Sequence, residues 1–185
     1  MLSYDDYEFN SDETKILFLS ETKSVYRRSF TAEYFLFDIA SKKLEALDEK
    51  HHPQTLAEYS PDGKMVSYIY GNDLFVKNLQ TGKITKLTVD GKRNKVINGT
   101  TDWVYEEEFS ITKAYAWSPD SKTIAFLRFN EKAVKEYSLE TYGNLYPEHY
   151  EYKYPKAGED NSKVTAHYVN VQSAKINNIS LGEYE

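Results

Sequence analysis

The sequence predicts an all-β fold, a partial β-propeller of about three four-stranded antiparallel blades, the start of a fourth and one short inserted acidic helix. The first observation is the abundance of aromatic side chains, which make up 15% of the 185 residues and favour strands. The second is a tight turn of the Ser-Pro-Asp type that recurs along the chain, followed each time by a β-branched and aromatic run. Because propellers typically contain about four to eight blades, three blades predict part of a larger ring.

The first blade is predicted over residues 4–48. Its turn, Asn10-Ser11-Asp12, precedes the apolar run 15–19. A longer inner portion covers 24–39, and the segment 41–47 closes the unit. The turn between two apolar runs is typical of a β-hairpin, so this blade consists of short antiparallel strands.

The second blade is predicted over residues 53–89. It begins with the turn Ser60-Pro61-Asp62-Gly63, in which proline sets φ and aspartate closes the turn. Three strand-like runs follow at 65–70, 74–79 and 83–88, separated by Asn-Asp and Thr-Gly turns. Four short strands joined by tight turns make one propeller blade.

The third blade is predicted over residues 111–175. Its turn, Trp117-Ser118-Pro119-Asp120, precedes the run 123–127. An aromatic and glutamate-rich excursion, the arm at 137–158, departs from the blade pattern. Residues 176–185 are expected to begin the next blade or to form a tail.

An insertion at residues 100–110 separates the second and third blades. Its centre is the run Glu106-Glu107-Glu108, which predicts a short helix because successive helical residues lie about 100° apart and two carboxylates can converge. Asp102 is the expected N-cap of this helix. Two close carboxylates repel unless a cation lies between them, so the pair predicts a receptor for an ammonium group. A solvated acidic face is the alternative.

A second candidate for function is the pair Arg27 and Arg28 within residues 25–34. If this segment is a strand, period-two alternation places the two arginines on opposite faces. One guanidinium would then face a central cavity, where its planar fork suits a carbonyl or a carboxylate. The alternative is an exposed strand pair that balances nearby acids.

Composition and spacing exclude several classes of protein. The net charge of -6 disfavours a nucleic-acid partner, and the apolar runs are much shorter than the roughly 20 residues of a membrane span. The sequence contains no Gly-x-Ser-x-Gly, no His-Glu-x-x-His and no cysteine. We therefore expect no catalytic residue, no metal ligand and no cofactor in this chain. The first residues also lack the basic and apolar pattern of a signal peptide.

Three segments resemble motifs of one enzyme family, in collinear order. The string at 98–109, with Asp-Trp-Val-Tyr-Glu-Glu-Glu-Phe as its centre, resembles the double-glutamate motif of the dipeptidyl peptidase IV family. The segments 152–158 and 27–32 are similar to two further signatures of that family. The resemblance implies an eight-bladed propeller that caps an α/β-hydrolase domain, in an enzyme that releases X-Pro or X-Ala dipeptides from peptide N-termini.

Roles for individual residues follow from the resemblance. Glu107 and Glu108 would bind the α-ammonium of the substrate, and Arg27 would contact the backbone carbonyl of the N-terminal dipeptide. The serine-type catalytic triad would belong to the hydrolase domain of the parent chain, so this chain alone should not cleave peptides. The expected partners are thus a peptide N-terminus, that hydrolase domain and a second copy, bound as a homodimer through the arm at 137–158.

The absence of cysteines, and therefore of disulfide bonds, suggests a bacterial member of that family, located in the periplasm or the cell envelope. Two alternatives to the peptidase interpretation remain open at the level of sequence. One is a non-catalytic propeller module for protein interaction, in which the glutamates are a solvated face. The other is a relative of the peptidases that has lost its nucleophile.

Overall fold

The computed structural model describes residues 3–182, which form fifteen strands and one short helix. The strands and the helix are β1 (Asp6–Phe9), β2 (Lys15–Ser24), β3 (Phe30–Asp38), β4 (Lys43–Ala46), β5 (Thr55–Tyr59), β6 (Met65–Tyr70), β7 (Asp73–Asn78), β8 (Ile84–Lys86), β9 (Val96–Asn98), α1 (Trp103–Phe109), β10 (Tyr115–Trp117), β11 (Thr123–Asn130), β12 (Glu136–Thr141), β13 (Glu148–Lys153), β14 (Lys163–Asn170) and β15 (Ile176–Ile179).

The strands form three successive antiparallel sheets and a separate hairpin. The first sheet has the order β1-β2-β3-β4 and the second has the order β5-β6-β7-β8. The third has the order β10-β11-β14-β15, with β9 also paired to β11, while β12 and β13 form the hairpin of the arm. The prediction of a partial β-propeller with four-stranded blades is thereby confirmed. Over residues 3–182 the sheets stay open and do not close a ring.

The recurring turns are built from the same hydrogen bonds. In the second sheet the Ser60 hydroxyl donates to Asp62 Oδ1 at 2.7 Å and accepts from the Met65 amide at 3.0 Å. In the third sheet Ser118 makes the equivalent bonds with Asp120 and Thr123, at 2.7 and 3.0 Å. Each serine therefore ties the turn to the first residue of the strand that follows, and in the first sheet Asn10 does the same, because its Oδ1 atom accepts a hydrogen bond from the Lys15 amide at 2.8 Å.

The hydrophobic core lies between the sheets. Side chains of the first sheet pack on one face of the second, and side chains of the third pack on its other face. The middle sheet is therefore buried on both sides, which explains why burial is continuous along β6 and β7 and does not alternate. The largest fully buried apolar residues of these layers include Tyr68, Leu47, Leu74, Leu87 and Ile124.

The outer face of the first sheet carries exposed aromatic rings. Tyr4 and Tyr7 are 54% and 52% exposed, and both rings contact that of Phe18, with centroids 5.1 and 6.3 Å apart. The second sheet has no such face in residues 3–182, because it lies between two neighbours. An aromatic sheet face of this kind suits a further blade.

The third sheet begins and ends at other residues than the sequence predicted. Strand β9 pairs with the end of β11, with Arg128 opposite Asn98, so the sheet begins before the helix. The predicted insertion therefore interrupts an edge strand of the third sheet instead of separating two blades. Strand β15 pairs with β14 in the same sheet, so residues 176–179 belong to this blade and do not start the next one. Residues 183–185 lie outside the described part of the chain.

The prediction that Arg27 and Arg28 lie on a strand is also wrong. Strand β2 ends at Ser24 and β3 begins at Phe30, so both arginines lie in the connecting turn. This turn is closed by a hydrogen bond from the Val25 amide to the Ser29 carbonyl, 2.8 Å long. Period-two alternation does not apply in a turn, and the direction of each arginine is instead decided by contacts with α1.

Candidate functional site

The helix α1 has a polar cap at each end. Asp102 is extended, with φ -79° and ψ 177°, and its side chain accepts a hydrogen bond from the Tyr105 amide at 3.0 Å. This confirms the predicted N-cap. The Ser162 hydroxyl, from the segment that follows the arm, donates to Asp102 Oδ2 at 2.6 Å. At the other end Ser110 adopts the left-handed conformation, and its amide donates to the carbonyls of Glu106 and Tyr105.

The base of the insertion is closed by hydrogen bonds between the segments that precede and follow the helix. The Thr100 and Thr101 hydroxyls donate to the carbonyls of Thr112 and Ile111, at 2.9 and 2.7 Å. Gly99, just before them, has φ +81°, and a Cβ there would lie 2.9 Å from Ile69 Cδ1. The chain thus leaves and re-enters the third sheet at a narrow base, and the helix is held against the other sheets.

The three glutamates of the helix have different environments. Glu106 is 1% exposed, Glu107 is half-buried and Glu108 is exposed. The rotation of about 100° per helical residue separates them, so adjacent carboxylates face different surroundings. In the sequence the run reads as one acidic cluster, and no neighbouring pattern indicates that its first member is buried.

Glu106 bonds to the turn that contains the two arginines. Its Oε1 atom accepts hydrogen bonds from the backbone amides of Arg28 and Ser29, at 2.7 and 2.8 Å. The Arg28 guanidinium, through Nη1, donates to the Glu106 backbone carbonyl at 3.0 Å. Nearly 80 residues of chain separate the turn from the helix, so these bonds join the first sheet to the third.

The same junction brings Arg27 to Glu107. Arg27 Nε lies 3.3 Å from Glu107 Oε2, with side chains that are 71% and 16% exposed. Glu108 is exposed on the adjoining face and makes no ion pair within residues 3–182. The structure therefore brings together two of the three predicted site residues and leaves the third open to solvent beside them. The result is a surface with two carboxylates and one guanidinium.

The root of the arm packs against the helix. Tyr152 is 9% exposed, and its ring contacts those of Trp103 and Tyr26, with centroids 6.3 and 6.2 Å apart. Tyr154 makes the closest contact with the helix, an edge-to-face pairing with Trp103 at 4.5 Å. Aromatic pairs of this geometry stabilise beyond their buried area. The helix therefore rests on an aromatic layer that is shared by the arm and the turn after β2.

A buried acid, Glu131, lies near the N-terminus of the helix. It is 5% exposed and lines a cavity of about 260 Å³, together with Tyr26, Ser29 and Tyr152. Burial, together with the charge of Asp102, raises the pKa of the Glu131 carboxyl to about 7, although Lys153 acts in the opposite direction. No pattern in the sequence indicated this group, because an isolated glutamate after a strand resembles any solvated residue.

Two further findings concern residues 3–182. No group of three or more histidine, aspartate or glutamate side chains converges in a way that could hold a metal ion. No helix in that part of the chain is long and apolar enough to cross a membrane.

Comparison with known proteins connects this arrangement to one family. A family model described as the dipeptidyl peptidase IV (DPP IV) N-terminal region matches residues 10–184. The chain is similar to the dipeptidyl-aminopeptidase B of Aspergillus niger, with 36% identity over 88% of the chain and 20% of the relative. It is also similar to the dipeptidyl peptidase 4 of Trichophyton equinum, with 35% identity over 95% of the chain and 23% of the relative. The chain thus spans about a quarter or less of these relatives.

Solved structures give the same result. A crystal structure of Porphyromonas gingivalis dipeptidyl peptidase 4 is 40% identical, with a TM-score of 0.93 over 97% of this chain and 26% of that one. A structure from Bacteroides ovatus, 20% identical with a TM-score of 0.62, shares the fold. The likeness to these much longer chains agrees with the open propeller of residues 3–182.

The expected bacterial periplasmic or cell-envelope location is not supported. The curated relatives named above are fungal dipeptidyl aminopeptidases, so the inference from missing cysteines to a bacterial envelope protein is overturned. The absence of cysteine reflects the redox environment only loosely, which is why it misled the prediction.

The family match covers residues 10–184, and the two fungal relatives, each more than 30% identical, cover 88% and 95% of the chain. The chain belongs to the dipeptidyl peptidase IV family, as part of the N-terminal propeller region of these enzymes.

Proposed function

We propose that this chain recognises the N-terminus of a peptide substrate within a serine-type dipeptidyl peptidase. Glu107 and Glu108 bind the α-ammonium of the substrate, and Arg27 contacts the backbone carbonyl of its first dipeptide. The observation that carries the proposal is the ion pair between Arg27 and Glu107, which joins a turn of the first sheet to a helix of the third.

The chemistry of the surface suits this ligand. An ammonium group donates three hydrogen bonds and carries one positive charge, so two carboxylates on adjacent helical residues complement it. Glu107 is half-buried, which reduces the screening of its charge by water. Arg27 offers a planar guanidinium beside the pair, and this group suits a carbonyl oxygen.

A fixed anionic site also explains how an exopeptidase selects the peptide bond two residues from the N-terminus of its substrate. When the charged terminus is held at one point, the second peptide bond lies at a constant distance from it, where a nucleophile of the hydrolase domain can attack. A longer N-terminal extension would carry its ammonium away from the carboxylates. The names of the relatives, dipeptidyl peptidase 4 and dipeptidyl-aminopeptidase B, agree with this chemistry.

The arm supplies the second part of the proposal, a dimer contact. Its hairpin ends in a loop whose apolar side chains are largely exposed, with Tyr142 and Tyr146 at 78% and Leu145 at 92%. Exposed aromatic and aliphatic residues on a protruding hairpin are typical of an interface core. We propose that two copies of the enzyme associate through this loop.

The test uses a full-length enzyme that carries this chain together with its hydrolase domain. Glu107→Gln and Glu108→Gln each keep the side-chain volume but remove the charge, and we expect each to lower kcat/KM for an X-Pro chromogenic substrate by about 100-fold. Glu49→Gln, at an exposed glutamate outside the helix, is the matched control and should leave kcat/KM unchanged.

A second measurement in the same test changes the substrate instead of the enzyme. An N-acylated version of the peptide lacks the ammonium, so wild-type enzyme and the two glutamine variants should cleave it at similar, low rates. If both variants retain the wild-type kcat/KM for the free peptide, the helix does not bind the ammonium and the proposed function is wrong.

A further inference from the structure

Glu106 differs from the other two glutamates of the helix because its carboxylate faces the interior. It is 1% exposed, and a single oxygen, Oε1, accepts both backbone amides of the turn, from Arg28 at 2.7 Å and from Ser29 at 2.8 Å. A buried carboxylate is strongly disfavoured unless hydrogen bonds replace its water. These two charge-assisted bonds supply that replacement.

The donors are main-chain groups, which has a structural consequence. Backbone amides cannot rotate away from their turn, so bonding both of them to one oxygen restricts the position of the whole turn relative to the helix. The Arg28 guanidinium adds a contact to the Glu106 carbonyl at 3.0 Å. Three hydrogen bonds between the turn and one helical residue therefore join the first sheet to the third.

The ion pair of Arg27 cannot hold the turn by itself. Its guanidinium is 71% exposed on a flexible side chain, and exposed ion pairs contribute little because water screens them. The two bonds to Glu106 lie one and two residues further along the chain, and because their acceptor side chain is 1% exposed, water competes with them less than with the Arg27 pair. The turn is therefore held by Glu106, and Arg27 meets Glu107 because the turn is already in place.

We propose that Glu106 is a positioning residue, which anchors the turn at residues 25–29 to α1 and thereby sets Arg27 against Glu107 for substrate binding. Glu106 acts through the oxygen that accepts the two amides and has no contact with the ammonium. This inference rests on the proposed function of Arg27, Glu107 and Glu108, but it assigns the third glutamate of the run a different task.

Two substitutions of Glu106 distinguish the effect of its charge from the effect of the position of its side-chain oxygen. Glu106→Gln removes the charge but keeps a carbonyl oxygen where both amides can reach it, whereas Glu106→Asp keeps the charge and draws the oxygen back by one methylene. In the full-length enzyme we expect Glu106→Gln to retain kcat/KM for the X-Pro substrate within about threefold. We expect Glu106→Asp to lower it by about tenfold or more, mainly through a higher KM.

The opposite ranking would overturn the inference. If Glu106→Gln loses as much activity as Glu107→Gln, the charge of Glu106 is what matters and the residue binds the ammonium. If Glu106→Asp behaves like the wild type, the position of the oxygen is unimportant. Failure of the proposed function is distinguishable, because it appears as unchanged activity in Glu107→Gln and Glu108→Gln.

A double-mutant cycle with Arg27 adds a readout that general destabilisation would not produce. If Glu106 acts through the turn, Glu106→Asp should change kcat/KM by less than about twofold once Arg27→Ala has removed the guanidinium. Equal losses in both backgrounds would contradict the inference. Melting temperatures of all variants show whether a loss of activity reflects unfolding, and Glu106→Gln keeps the test informative if Glu106→Asp does not fold.

Discussion

Arg27 Nε lies 3.3 Å from Glu107 Oε2, and this pair joins a turn between two strands of the first sheet to a helix inserted in the third. The two residues are 80 positions apart in the chain, so their approach depends on the packing of whole sheets. The surface that we propose for a peptide terminus is therefore assembled only when the sheets have packed together.

Arg27→Ala should weaken substrate binding by the full-length enzyme but leave the stability of the fold nearly unchanged. Because the side chain is 71% exposed, we expect the free energy of unfolding to change by no more than about 0.5 kcal/mol. In the full-length enzyme kcat/KM for an X-Pro substrate should fall about tenfold. Arg27→Lys should restore only part of it, since an ammonium lacks the planar fork. Denaturant titration and steady-state kinetics measure the two effects, and a parallel loss of both would contradict the prediction.

Asp102→Ala should destabilise the helix. The carboxylate caps the Tyr105 amide at 3.0 Å, and the loss of an N-cap costs about 1 kcal/mol of stability. Asp102→Asn retains an acceptor and should restore most of this. Ser162→Ala removes the hydroxyl that donates to Asp102 but leaves the cap, so it should cost less. Urea unfolding of this chain measures the series, and a Ser162→Ala that costs more than Asp102→Ala would refute the ranking.

Glu131 should make the stability of the fold depend on pH. Burial raises the pKa of its carboxyl from the ordinary 4.5 to about 7, so the folded state retains the proton over a range in which the unfolded chain has lost it. This contribution is fully present below pH 4.5 and is lost as the pH rises through 7. At about 1.4 kcal/mol per pKa unit, the predicted loss is about 3 kcal/mol.

Glu131→Gln isolates this contribution, because the amide resembles the protonated acid and does not titrate. The stability of the variant should fall less than that of the wild type between pH 5 and pH 8, in denaturant titrations at four pH values. If the free energy of unfolding depends on pH equally in the wild type and in the variant, Glu131 does not titrate in this range.

The arm loop should control association of the full-length enzyme. Leu145 is 92% exposed, and Leu145→Ser should weaken a dimer that buries this loop by about tenfold or more in Kd. Val89→Ser is the matched control, because Val89 is an apolar residue that is 78% exposed outside the arm. Analytical ultracentrifugation at several concentrations measures Kd, and equal effects of the two substitutions would argue against an interface at the arm.

The sequence predicts the blades well because their signals are local. A serine and an aspartate two residues apart close the first hairpin of the second and third sheets by bonds within a few residues, as Ser60 with Asp62 and Ser118 with Asp120 do. The aromatic and β-branched runs that follow these turns indicate strands that are buried between sheets. Such features depend on neighbours in the chain and are visible without the fold.

What the sequence does not show depends on contacts between distant segments. The three glutamates of the run cannot be distinguished by sequence. Only the fold places Glu106 against the amides of Arg28 and Ser29 and leaves Glu108 in solvent. The turn around Arg27 looked like a strand because its composition is that of a strand. Strands β9 and β15 were misassigned because a three- or four-residue strand is recognisable only by its partner.

The narrow base of the insertion has a consequence for the evolution and engineering of the third blade. The Ala114 amide bonds to the Gly99 carbonyl at 2.9 Å, and β9 and β10 occupy one continuous edge of β11. The segment between these two residues is therefore a cassette, which can be lengthened, shortened or replaced without a change in the register of the sheet. A propeller blade with this geometry can gain or lose a helix while its own hydrogen-bond ladder stays intact.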